Sequence, residues 1–234
     1  MPEGHSSKQY DSDLEAIRSR VLLMGGIVEN QLHDAIAAFK DGDLALAEHV
    51  IKGDDNVNRL EITLDDACSH LIVRRQPTAN DLRTVMATLK VITDLERIGD
   101  ESTKIARMAK NLHERGLLAM LNHYEAIHVI ASSTSELLHD ALDAFARLDD
   151  KQALEIIAHD KAIDHEFRSI IRTMITFMME DPRTISIALD VLWAAKAIER
   201  IGDHAKNIAE YVVFIVAGKD IRHSDYADQP DQTQ

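Results

Sequence analysis

The segment Glu96-Arg97-Ile98-Gly99-Asp100 recurs unchanged as Glu199-Arg200-Ile201-Gly202-Asp203. Other segments agree at nearly the same offset. Leu32-His33-Asp34-Ala35 returns as Leu138-His139-Asp140-Ala141, Phe39 as Phe145, and Asp54-x-x-Val57-Asn58 as Asp160-x-x-Ile163-Asp164. Pro77 and Pro182 interrupt the two copies at the same joint. A chain of 234 residues that repeats after 103 to 106 positions is a duplicated domain, because solenoid units are far shorter. Whatever fold one half adopts, the other must adopt too.

Within each half the apolar residues return every three or four positions, which is helical spacing. Ile17, Val21, Met24, Val28, Leu32, Ile36 and Phe39 mark the first helix. Gly42 breaks it, and Asp43 is placed to cap the next. Further helices are predicted from about Leu44 to Arg74, Asn80 to His113, Ala119 to Leu148, Gln152 to Met179 and Thr184 to Ala217. Only nine Gly, four Pro and 4% aromatics leave little material for the turns and core of a β-sandwich or barrel. The expected fold is all-α: two tandem, duplicated antiparallel three-helix bundles, over residues 12–115 and 117–218. Residues 1–11 are expected to form a flexible N-terminus and residues 219–234 a flexible tail.

Lysine and arginine number 26 against 40 acids, a net charge of −14, which argues against a nucleic-acid partner. The single Cys68 excludes an internal disulfide and a cysteine-based zinc or iron–sulfur site. It follows an apolar stripe and is expected in the core. No secretory segment and no span-length apolar run is visible, so the expectation is a cytoplasmic protein that meets membranes only through partners.

The chemistry lies in the repeated acids. Glu96 and Asp100, like Glu199 and Asp203, stand one helical turn apart on one face, where like charges repel by about 0.2–0.5 kcal/mol. A cation, a salt bridge or a metal should offset that. Stepping about 100° per residue puts Glu96, Asp100, Glu199 and Asp203 opposite the apolar stripes of their helices, on the bundle surface. On the second and fifth helices Asp54 and Asn58, and Asp160 and Asp164, sit inside apolar arcs, with Glu61 one turn further on. Paired helices would then bring two acidic ladders together in each half. Such an all-oxygen set suits Mg²⁺, Mn²⁺, Ca²⁺ or oxidised iron. The plainer alternative is ion pairing, of Asp100 with Lys104 and of Glu199 with Lys196 or Arg200. Gly99 and Gly202 cost a helix about 1 kcal/mol each relative to Ala, so they imply close approach, first of all by a packing helix.

Other patterns say less. Glu125-x-x-His128 and Glu136-x-x-His139 match half of a di-iron element but share one helix, so their histidines are expected on a solvent face. Arg74 and Arg75 read as loop charges. Met24-Gly25-Gly26 lies in a helical stripe and is no phosphate loop. No nucleophile–base pair is legible.

Met24-Gly25-Gly26-x-Val28-Glu29-x-Gln31-Leu32, Gly53-Asp54-x-Asn56-Val57-Asn58, Arg75-Gln76-Pro77-Thr78-Ala79-x-Asp81-Leu82-Arg83 and the two E-R-I-G-D segments together resemble the PhoU family, from about Leu14 to His223. The resemblance implies two similar three-helix bundles in a non-enzymatic, usually homodimeric regulator of phosphate uptake. It implies restraint of the phosphate-starvation response when phosphate is plentiful, by linking the phosphate ABC transporter, through its ATPase subunit, to a sensor histidine kinase. It also implies metal sites (Fe, Mn, Mg or Zn) on Glu96 and Asp100, Glu199 and Asp203, Asp160 and Asp164, and on Asp54 with Asn58. The neutral Asn58 implies a first-half site with less charge and weaker metal binding. The rival readings are a carboxylate-bridged metal enzyme or storage bundle of di-iron type, and a helical adaptor whose acids are only solvated charge.

Overall fold

The computed structural model describes residues 4–115 and 125–221. They form six helices: α1 (Gly4–Asp41), α2 (Leu44–Arg75), α3 (Ala79–Glu114), α4 (Glu125–Arg147), α5 (Asp150–Glu180) and α6 (Ile185–Ala217). A turn of 3-10 helix, Pro182–Thr184, leads into α6. The joints follow the sequence. Asp43 accepts a hydrogen bond from the Leu46 amide, and its repeat partner Asp149 accepts from Lys151 and Gln152. Gly218 ends α6 in the left-handed region, at φ 70°.

One expectation about the ends changes. α1 begins at Gly4, inside the stretch expected to be loose, because Tyr10 is buried and its hydroxyl donates to the Asp81 carbonyl oxygen. The predicted start of the fourth helix at Ala119 and nearly all of the tail lie outside the described residues.

Each half is a three-helix bundle: α1, α2 and α3 pack on one another, as do α4, α5 and α6. The bundles then join through α3 against α6 and α1 against α4. Both pairings are antiparallel. Along the first run Arg83 to the Ile215 carbonyl, Asp94 to His204, Glu101 to Arg200 and Arg115 to Asp190. Along the second run Arg18 to the Ala146 carbonyl and Glu29 to His139. Gly25 faces α4, where a Cβ would stand 2.6 Å from Leu142. It is a packing glycine within a helix.

One core runs through both bundles. Phe39 and Phe145, which correspond in the repeat, are both buried in it, and Cys68 is wholly buried. Burial pushes the Cys68 thiol up to about 11, as an inert core cysteine requires. Arg75 is no loose charge: it ends α2 and pairs with Asp13 of α1 at 2.8 Å. No helix among the described residues is long and apolar enough to cross a membrane.

Candidate metal centre

Each bundle gathers an acidic cluster where its outer helix, α2 or α5, meets α3 or α6. The close approach is made by the repeated glycines. A Cβ on Gly99 would lie 3.3 Å from Val57 and 3.8 Å from Asp54 Oδ1. On Gly202 it would lie 3.3 Å from Ile163 and 3.9 Å from Asp160 Oδ1. Val57 and Ile163, and Asp54 and Asp160, are repeat equivalents, so the glycine lets the neighbouring helix seat an aspartate beside the E-R-I-G-D turn.

In the first cluster, burial and then the Asp100 charge raise the pKa of Asp54. Burial, Asp100 and Glu61 raise Glu96, while burial and Asp65 raise Glu61. Asp65, unremarked in the sequence, extends the ladder one turn beyond Glu61 and is itself raised by burial and Asp66. The cation nearest Glu96 is Arg97 at 3.7 Å, itself largely exposed. Asp54 Oδ1 and Asn58 Oδ1 are buried without a hydrogen-bond partner.

The second cluster shares the repeated acids but has different company. Asp160 is 4% exposed, and Lys206 Nζ donates to its Oδ2 at 2.8 Å. Lys196 bonds to Glu199, as the ion-pair alternative anticipated. Burial pushes Lys206 down, but its Asp160 bond together with the charges of Asp160, Glu210 and Asp203 outweighs that and leaves its pKa raised. Asp203 sits at the rim. Loss of hydration against the bundle, then the charges of Glu199, Asp160 and Asp164, push its carboxyl up to about 6.

Three expectations need correction. Glu199 is not outward-facing: it is only 8% exposed, because α6 packs against α3, α4 and α5 and has little free surface. Lys104 pairs with Glu101, not Asp100, at 2.9 Å. The first cluster is also not the less charged one, since Glu61 and Asp65 more than replace the charge missing at Asn58. His139, expected on a solvent face, is exposed, and it reaches Glu29 of α1 at 2.7 Å.

The donors present are hard oxygens, which fit Mg²⁺, Mn²⁺, Ca²⁺ or ferric iron. The orphaned oxygens of Asp54 and Asn58 fit such an ion in the first bundle. Among the described residues no three His, Cys, Asp or Glu side chains already converge on one point, so binding there requires the carboxylates to draw together.

The Asp203 shift predicts a pH dependence. A carboxyl near 3.9 unfolded and about 6 folded binds its proton more tightly in the native state. Stability therefore falls as pH rises through that window. In chelator, Asp203→Asn should melt higher than the parent at pH 7, with the difference gone below about pH 4. Thermal unfolding by circular dichroism across pH checks this.

The duplicated three-helix unit, with its glycine-seated acidic turn, defines a class of helical protein. The PhoU domain matches the sequence twice, over residues 21–109 and 127–212. The chain belongs to the PhoU family. It is 47% identical over 219 residues to the phosphate-specific transport system accessory protein PhoU of Escherichia coli K12, covering 94% of this chain and 90% of that protein. A homologue of that accessory protein in Pseudomonas aeruginosa is 45% identical with the same coverage of both chains. The crystal structure of PhoU from Pseudomonas aeruginosa superposes with a TM-score of 0.83 at 43% identity, over 90% of this chain and 100% of that one. The phosphate transport system regulatory protein PhoU from Streptococcus pneumoniae gives 0.82 at 26% identity, over 90% and 98%.

Proposed function

We propose that this chain is a non-enzymatic regulator of phosphate uptake that restrains the phosphate-starvation response when phosphate is plentiful. It does so by linking the ATPase subunit of the phosphate ABC transporter to a sensor histidine kinase, acting as a cytoplasmic homodimer. The observation that carries this reading is likeness along nearly the whole chain to proteins named as accessory or regulatory components of phosphate transport. The two bundles meet along α3–α6 and α1–α4, which suits a rigid adaptor more than a pair of independent modules. An acidic cluster would hold a hard metal ion and so shape a surface for contact.

A carboxylate-bridged enzyme is less well supported. Lysines already occupy Asp160 and Glu199, where such an enzyme would need free facing ligands. Deleting the gene in its own host should switch on phosphate-starvation genes in phosphate-rich medium. Unchanged repression would overturn the proposal.

A further inference from the structure

We propose that cation binding in this chain is one-sided: the first-bundle cluster takes a hard divalent cation, while the second is closed by its own lysines. This rests on the metal part of the proposed function and goes beyond it, since the duplication would otherwise give two equal sites.

The two halves differ at the positions that decide the matter. At the E-R-I-G-D register, Lys206 corresponds to Thr103 and Lys196 to Thr93. At the register of the outer helices, Phe167 corresponds to Glu61, and on the first helix of each half Leu137 corresponds to Gln31. The second bundle has thus gained two ammonium groups. Both are held. Lys206 lies 2.8 Å from the buried Asp160, and Lys196 bonds to Glu199 with its Nζ 5.2 Å from the centre of the Phe167 ring. An ammonium over an aromatic face is attracted by the ring quadrupole, so Phe167 helps to keep Lys196 in place. Asp160, Asp164 and Glu199 have no buried oxygen lacking a partner.

The first bundle is the converse. Where Phe167 would be there is another acid, Glu61. Where the lysines would be there are hydroxyls. Thr103 is 1% exposed and lies beside Asp54. Gln31 is 7% exposed; its amide nitrogen donates to the Val50 carbonyl, and its Oε1 has no partner. That Oε1 points at Gly99, 3.3 Å from where a Cβ would stand and beside Asp54 Oδ1. Buried oxygens left unpaired cost free energy that a cation would recover. Five acids (Asp54, Glu61, Asp65, Glu96 and Asp100) and neutral oxygens from Asn58 and Gln31 are a hard-cation donor set with no ammonium bonded to it; the charges of Arg97 and Arg107 act on it, and Arg97 is largely exposed.

The test is Mn²⁺ binding by the full, chelator-stripped chain, followed by the electron paramagnetic resonance of free Mn²⁺, with circular dichroism to confirm folding. Glu96→Gln/Asp100→Asn should weaken binding by about tenfold or more. Glu199→Gln/Asp203→Asn should leave it as in the parent. Lys196→Thr/Lys206→Thr should double the Mn²⁺ bound per chain, by opening the second cluster. Equal loss from both acidic double variants would overturn the one-sided proposal while leaving the metal reading standing. No Mn²⁺ bound by the parent would overturn both, and the regulatory reading would then be judged by gene expression alone.

Discussion

Phe145→Ala lowers the free energy of unfolding by about 3–5 kcal/mol, the usual cost of removing a buried ring and leaving a cavity. Phe145 is 1% exposed and among the largest fully buried side chains. It lies on α4, whose neighbours α1, α5 and α6 belong to both bundles, so they cannot all collapse inward to fill the space. For a chain of this size the loss corresponds to a melting point lower by about 10 °C. Phe39→Ala should cost a similar amount, because Phe39 holds the equivalent place on α1 at 4% exposure. Chemical denaturation of the two variants checks this. A loss under 1 kcal/mol at either position would mean that the two halves do not share one packing scheme.

The second large effect is expected at the seam between bundles. Asp94 of α3 is 7% exposed and accepts from two groups of α6, His204 Nδ1 at 2.6 Å and Asn207 Nδ2 at 3.1 Å. Asp94→Ala removes both bonds and strands two polar groups against the seam. The expected cost is about 2–3 kcal/mol, since hydrogen bonds to a charged group are each worth about 1.5–3 kcal/mol. His204→Ala alone should cost less, because Asn207 remains. The double variant should cost less than the sum of the singles, by at least about 0.5 kcal/mol, as contacting residues do. Strict additivity would show that the Asp94–His204 contact contributes nothing.

This seam also marks where the sequence stopped being readable. The helices were legible because their apolar period repeats in two copies, and the E-R-I-G-D glycines correctly signalled close packing of α2 on α3 and of α5 on α6. A period on one helix cannot say how many neighbours that helix has. α6 has three, so a one-stripe reading turned the buried Glu199 outward. Asp94 and Glu101 look like ordinary surface acids until α6 brings His204 and Arg200 to them. The candidate acids were visible as repeats, and the structure does bring Asp54 beside Asp100, and Asp160 and Asp164 beside Asp203. What decides the character of each cluster was less visible. Lys206 reaches Asp160 across 46 residues of sequence, a contact no local spacing reveals. Comparing Thr103 with Lys206 and Glu61 with Phe167 at the repeat register would have exposed the difference between the halves.

Regulation of the phosphate response is read directly in gene expression. A starvation-induced reporter is read in phosphate-rich medium, in a strain lacking its own copy of this gene and again after the gene is restored. High expression without the gene and repression once it returns are expected. Expression that is low in both strains, or that stays high after restoration, would contradict the regulatory reading.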